Sequence, residues 1–122
     1  MILADASVWI EHFRTRNETL LRLLDLDEIA CHDFVIGEVS LGHVRNRDAS
    51  LRELFELPRA SHVSNDEVLT LVLQHKLFGK GIGYVDVHLL ASAILTEDCS
   101  LWTRDRNLST VARSLRVEAQ VA

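Results

Sequence analysis

Residues 1–7 read Met1-Ile2-Leu3-Ala4-Asp5-Ala6-Ser7, an apolar run that ends in an acid and leads into a small-residue turn. The run predicts a short buried strand over 1–5, and the residues from Ser7 onward predict a helix with Val8 and Trp9 on its apolar side. Asp5 then stands at the carboxyl end of the strand, where open α/β sheets bind their ligands. Because Ser7 is itself well placed to cap the helix, Asp5 is expected to be free for another role.

The rest of the chain alternates between strand and helix patterns. Strands are predicted at 29–31, weakly at 60–63, and at 100–103. Helices are predicted at 20–24, 34–47, 49–56, from the capping segment at Ser64 to Phe78, at 84–97 and at 106–114. Strands that alternate with helices are typical of a parallel sheet covered by helices on both faces. We therefore predict an α/β protein.

Composition limits the class of protein. The chain has 122 residues, 48% of them hydrophobic and 25% charged, which suits a single globular domain over 1–122. It has no apolar segment of the ~18 residues that a membrane span needs, and no basic segment before its first apolar run, so a cytoplasmic protein is expected. The net charge of −5 argues against binding nucleic acid by bulk electrostatics alone. Cys31 and Cys99 are too few for a disulfide framework or a zinc motif and are interpreted as core residues.

Three further acids stand at boundary positions like that of Asp5. Glu38 lies early in the helix at 34–47, Asp86 opens the helix at 84–97, and Asp105 follows the strand at 100–103. Each has a simple alternative role as a helix cap, a turn residue or a favourable charge near a helix N-terminus. In a parallel sheet, however, strand ends and helix starts meet at one edge, so we expect Asp5, Asp86 and Asp105 to converge there. Glu38 joins them if its helix packs beside the first strand.

Converging carboxylates predict a site for a hard metal ion. Two carboxylates ~4 Å apart repel by about 4 kcal/mol at an effective dielectric constant near 20, so the cluster needs protons or cations. Mg²⁺ or Mn²⁺ suits all-oxygen ligation with retained waters, and such an ion can activate a water against a phosphodiester. Ser7 and Thr103 are candidate hydroxyls for orienting a water or a phosphate, and plain capping and strand roles for them remain equally open.

Four segments together resemble a known family. They are residues 1–9, Phe34 to Glu38, Tyr84 to Ala91, and Leu101 to Asp105. In this order and at these intervals the chain resembles PIN-domain ribonucleases, in particular the VapC-type toxins of bacterial toxin–antitoxin pairs, over essentially its whole length. The resemblance implies a PIN-like three-layer α/β/α fold around a central parallel sheet of four or five strands. It also implies cleavage of RNA with Mg²⁺, for which Mn²⁺ substitutes.

The resemblance implies site residues and partners as well. By position, Asp5, Glu38, Asp86 and Asp105 form the acidic catalytic and metal-binding set, with Ser7, Thr103 and Arg104 as supporting residues. The implied partners are a VapB-type antitoxin, which blocks the active groove with a basic side chain, and a second copy of the chain. The implied assembly is a homodimer that forms a heterotetramer or a larger complex with the antitoxin.

Three arginines are considered for contact with RNA. Arg104 and Arg106 flank Asp105 and are the better candidates. Arg45 follows Glu38 by seven residues and is therefore expected on the same face of the predicted helix. There it would contact RNA phosphate, bond a neighbouring acid or remain solvated, and the last role is favoured.

The sequence favours a Mg²⁺- or Mn²⁺-dependent endoribonuclease toxin that hydrolyses RNA phosphodiesters to inhibit translation or growth. The alternatives are a non-toxin PIN nuclease that processes RNA and a metal-dependent phosphohydrolase acting on a small molecule. Haloacid-dehalogenase-like enzymes need a second Asp two residues after the first, where this chain has Ser7. A receiver-like signalling domain needs an acidic pair and a Lys near its last strand, and neither is found.

Overall fold

The computed structural model describes residues 1–121, which form three strands and seven helices. The strands are β1 (Ile2–Ala4), β2 (Ile29–Ala30) and β3 (Ser100–Trp102). The helices are α1 (Ala6–Arg14), α2 (Glu18–Asp25), α3 (Asp33–Ser40), α4 (Arg47–Phe55), α5 (Asn65–His75), α6 (Tyr84–Leu95) and α7 (Arg106–Ser114). The predicted α/β class with a parallel sheet is confirmed.

The sheet places β1 in the centre. Its order is β2-β1-β3, and both pairings of β1 are parallel. Leu3 and Ala4 have no exposed surface, as expected for the central strand of a parallel sheet. Ala4 pairs with Trp102, so the residues that follow them, Asp5 and Thr103, emerge side by side at the same edge.

The predicted count of four or five strands is wrong, since the described residues contain three. Beyond them the sheet continues only as isolated bridges, Cys31 with Arg59 outside β2 and Leu101 with Glu118 outside β3. The weak strand predicted at 60–63 is reduced to the bridge at Arg59. Pro58 has no N–H to extend the ladder in one direction, and in the other the N–H of Ser61 donates to Thr96 Oγ1 at 2.8 Å.

Two helices end earlier than predicted. The helix expected at 34–47 stops at Ser40. The N–H of Gly42 bonds to Val39 O at 3.2 Å, a tightened last turn, and Asn46 then takes a positive φ of 48° before α4. Arg45 therefore lies in a loop, and its placement on the face of Glu38 is wrong. The helix expected to reach Phe78 ends at His75, where Lys76 adopts the left-handed conformation common after a helix.

The core joins the sheet to the helices. Trp9 of α1 is fully buried and its ring stacks on Phe13 at 5.9 Å, while α6 contributes Leu89 and Leu90. Helices α1 and α3 pack together, as do α3 and α4, and α5 packs against α6. Cys31 is fully buried and Cys99 is half-buried, which confirms both as core residues. Within residues 1–121, no helix has the length and apolar character to cross a membrane.

Candidate active site

Asp5 is the best-held acid of the candidate site. It is 5% exposed, and its Oδ1 accepts hydrogen bonds from the Ser7 hydroxyl at 2.5 Å and from the N–H of Val8 at 3.3 Å. Its Oδ2 accepts from the Thr103 hydroxyl at 2.5 Å. The cap of α1 is therefore Asp5, and the prediction that Ser7 caps this helix is wrong. Ser7 lies inside the first turn and instead donates to Asp5.

The loop after β3 is tied to the same cluster. The N–H of Arg104 donates to the Ser7 hydroxyl at 2.9 Å, and the N–H of Asp105 donates to the Thr103 hydroxyl at 3.0 Å. Asp105 caps α7, with its Oδ1 accepting from the N–H of Leu108 at 2.8 Å. Ser7 and Thr103 thus connect the backbone around Asp105 to the carboxylate of Asp5.

Asp86 lies in the first turn of α6 rather than at its cap. The cap is Gly83, whose N–H donates to Asp86 Oδ2 at 2.9 Å. Gly83 ends the glycine-rich loop, and Gly79 and Gly81 in that loop have φ values of +69° and +74°. These two positive φ values are easily adopted by glycine and rarely by other residues, which explains the glycines before Asp86.

Glu38 lies on α3 and belongs to an exposed residue position. Partial burial of its carboxyl group raises its pKa above the usual value, and the negative charges of Asp86 and Asp5 raise the pKa further. Burial is also the main cause that raises the pKa of Asp5, opposed by the hydrogen bonds from Ser7, Thr103 and Val8 and reinforced by the charge of Asp86. The structure therefore brings Asp5, Glu38 and Asp86 close enough to repel one another.

No basic side chain offsets these three charges. The ion pairs among residues 1–121 are Arg16–Glu18, Arg59–Asp33, Arg104–Glu11 and Arg113–Glu118. Arg104, predicted as a supporting residue, directs its Nε at Glu11 at 3.0 Å and contributes to the cluster through its backbone N–H. The acids face one another without a cationic partner from the described chain.

The donor set suits a divalent ion. In the described part of the chain, no three carboxylate, imidazole or thiol side chains are placed to hold a metal ion as they stand. Mg²⁺, however, keeps several waters and is commonly held by one or two carboxylates, so an open acidic cleft meets its needs better than a closed cage would. An all-carboxylate set also fits Mg²⁺ and Mn²⁺ rather than softer ions.

Residues 2–114 match the PIN domain family. The chain belongs to the PIN-domain family. This PIN domain is 47% identical over 108 residues to Ribonuclease VapC32 of Mycobacterium tuberculosis, in both strain CDC 1551 / Oshkosh and strain H37Rv. The match covers 88% of this chain and 87% of the relative. A VapC-type member of the family, as the sequence segments indicated, is thereby confirmed.

The fold of this PIN domain is shared with a distant solved structure. The crystal structure of PAE2754 from Pyrobaculum aerophilum superimposes with a TM-score of 0.62, covering 96% of this chain and 97% of that one. The sequence identity is 19%, so the likeness concerns the fold alone.

The sequence gave no indication of one group beside the acids. Tyr84 and His88 on α6 both hydrogen-bond to Oδ1 of Asn65, the first residue of α5. The four-residue spacing of Tyr84 and His88 places them on one face of α6. The partner Asn65 follows only from the packing of α5 on α6.

Proposed function

We propose that this PIN-domain protein is a Mg²⁺- or Mn²⁺-dependent endoribonuclease and the toxin of a VapBC-type toxin–antitoxin pair. The observation that most supports the proposal is the group formed by Asp5, Glu38 and Asp86. Their charges repel one another without a basic partner among the described residues, in a chain 47% identical to Ribonuclease VapC32.

The proposed metal-binding residues are Asp5, Glu38, Asp86 and Asp105. When bound, Mg²⁺ or Mn²⁺ would activate the attacking water and neutralise charge that develops on the cleaved phosphate. The chain itself orients the carboxylates. Ser7 and Thr103 fix one oxygen each of Asp5, and the N–H of Gly83 fixes one oxygen of Asp86.

Asp105 and Glu38 complete the proposed set with more freedom. Asp105 uses Oδ1 as a helix cap, and its Oδ2 has no hydrogen-bond partner within residues 1–121. Glu38 has a raised pKa, so its carboxyl group exchanges protons more readily near neutral pH than an ordinary glutamate does. Hydrolysis is expected to leave a 5′-phosphate and a 3′-hydroxyl.

The proposed partners follow from the same function. A VapB-type antitoxin would supply the basic side chain that the acidic cluster lacks, and the protein is proposed to act in the cytoplasm as a homodimer that binds the antitoxin. The name of the relative, a ribonuclease, favours RNA over a small phosphate ester as substrate.

The test is cleavage of total cellular RNA by the purified protein, freed of antitoxin, with Mg²⁺ or Mn²⁺. Asp86→Asn and an EDTA sample are the negative controls, and Glu97→Gln is the matched control because Glu97 is an exposed acid in the turn after α6. Discrete fragments with 5′-phosphates that only Asp86→Asn and EDTA abolish support the proposal. Folded protein that leaves RNA intact, or equal cleavage by Asp86→Asn, contradicts it.

A further inference from the structure

Tyr84 exposes its ring while its hydroxyl is used inside the protein. It is the first residue of α6 and is 47% exposed. Its hydroxyl donates to Asn65 Oδ1 at 2.8 Å. The polar end of the side chain therefore has its partner, and the part left to solvent is an aromatic surface.

The ring of Tyr84 is held in one orientation. His88, one turn further along α6, is 1% exposed and meets the Tyr84 ring edge-on, with centroids 4.8 Å apart at 88°. His88 Nε2 lies 3.0 Å from the same Asn65 oxygen, so Asn65 bonds to both residues. Phe34 of α3 packs on His88 at 4.9 Å. The orientation of Tyr84 is thus fixed by contacts from three helices.

This fixed ring lies next to the proposed metal-binding acids. Tyr84 precedes Asp86 by two residues in the first turn of α6, a rise of ~3 Å along the helix axis. Phe34 stands one turn before Glu38 on α3, so the aromatic contact also reaches the second acid-bearing helix. A strand of RNA whose phosphate approaches Asp86 must pass beside Tyr84.

Resting on the proposed function, we propose that Tyr84 is the stacking platform for a nucleobase adjacent to the cleaved phosphodiester. Single-stranded RNA is commonly bound by stacking unpaired bases on aromatic side chains, which every base can do through its π-face. A ring already immobilised by Asn65 and His88 loses little rotational freedom when a base stacks on it. In this arrangement Asn65 and His88 are positioning residues, and only Tyr84 contacts the RNA.

The test compares Tyr84→Leu and Tyr84→Phe on a short RNA that the wild-type protein cuts once. We expect Tyr84→Leu to lower kcat/KM by about 5- to 150-fold, the usual range for one lost base stack, while Tyr84→Phe keeps the ring and most of the activity. The same RNA is then made with an abasic nucleotide at each position beside the cut. At one position, the abasic change should slow the wild-type protein by a similar factor and cause no further loss in Tyr84→Leu.

Two controls separate stacking from damage to the fold or the metal site. Tyr84→Leu should bind Mn²⁺ with unchanged affinity and should melt within a few degrees of the wild type. Phe55→Leu is the matched variant, because Phe55 is 60% exposed and faces Arg59 rather than the acids. It should cut RNA at the wild-type rate.

The outcomes distinguish this inference from the proposed function. Normal kcat/KM in Tyr84→Leu, or abasic effects that are equal in wild type and Tyr84→Leu at every position, overturns the stacking platform and leaves the nuclease standing. An RNA pool that the wild-type protein neither binds nor cuts overturns both.

Discussion

The Thr103 hydroxyl donates to Asp5 Oδ2 at 2.5 Å and joins two residues 98 positions apart in the sequence. The bond follows from the pairing of Ala4 with Trp102, which brings the ends of β1 and β3 together. It lowers the pKa of Asp5 against the larger opposing effect of burial, so it favours the charged carboxylate. A charged and oriented Asp5 is what a cation needs as a ligand.

Thr103→Val should therefore weaken metal binding while keeping the shape of the side chain. Loss of a hydrogen bond to a metal-binding carboxylate typically costs about 10- to 100-fold in metal affinity or activity. We expect a loss in this range for Mn²⁺ affinity measured by calorimetry. Thr110→Val is the matched control, since its hydroxyl bonds only to Arg106 O at 3.0 Å. Equal affinity in both variants would argue against a role for Thr103.

Asp5→Asn should abolish RNA cleavage without unfolding the protein. Asn is as good a helix cap as Asp, so the bond from Val8 is kept, and the amide can still pair with Thr103. Without metal, the free energy of unfolding from urea titration should stay equal or rise, because one repelling charge is gone. A variant that cuts RNA as the wild type does, or one that unfolds far more easily, contradicts the clustered site.

Stability without metal should fall as pH rises through the folded pKa values of Asp5 and Glu38. Both pKa values are raised, mainly by burial, from unfolded values of 3.8 and 4.5. Their folded forms hold protons that the unfolded chain has released, so this stabilisation is complete below pH ~4 and is lost at higher pH. Urea titrations in EDTA at several pH values should show a steeper decline for wild type than for Asp5→Asn.

The comparison with Asp5→Asn is needed because buried histidines act in the opposite direction. Burial lowers the pKa of His32 and His88 from 6.5, so their contribution is present above that pH and is lost as pH falls through their folded pKa values. The histidine effect is common to both proteins and cancels in the difference between them. Parallel stability curves for the two proteins would contradict the raised pKa of Asp5.

Gly79→Ala and Gly81→Ala test the loop that leads to Asp86. Both glycines have positive φ, which costs an L-residue about 1–2 kcal/mol. A Cβ at Gly79 meets nothing within 4 Å, whereas one at Gly81 would come within 2.5 Å of Asn107 Nδ2. Thermal unfolding should therefore show the larger loss for Gly81→Ala. Adding Asn107→Ala should bring the two variants together, and a persisting gap would rule out this contact as the cause.

The sequence predicted the features that depend on local pattern. The buried strand before Asp5, the strand before Thr103 and the helix after Asp105 could all be placed from apolar runs and their boundaries. The edge shared by β1 and β3 followed from the rule for parallel sheets, and Asp5 and Asp86 are close enough to affect each other's titration, as that rule implied.

The failures occurred where spacing alone does not decide between local hydrogen bonds. Ser7 and Asp5 are both good cap residues, and only the structure shows Asp5 bonding to Val8 with Ser7 donating to it. The residues after Ser40 continue a helical spacing, yet Gly42 bonds back to Val39 and the helix ends. The bond between Tyr84 and Asn65 spans 19 positions and depends on helix packing that no local pattern encodes.

The most direct test of the proposed metal site is an anomalous diffraction map at the manganese edge from crystals grown with saturating Mn²⁺. We predict a peak within bonding distance of carboxylate oxygens of Asp5 or Asp86, and its loss in Asp86→Asn crystals grown in the same way. Crystals of the folded wild-type protein that show no peak at these acids, or a peak that persists unchanged in Asp86→Asn, would contradict the account.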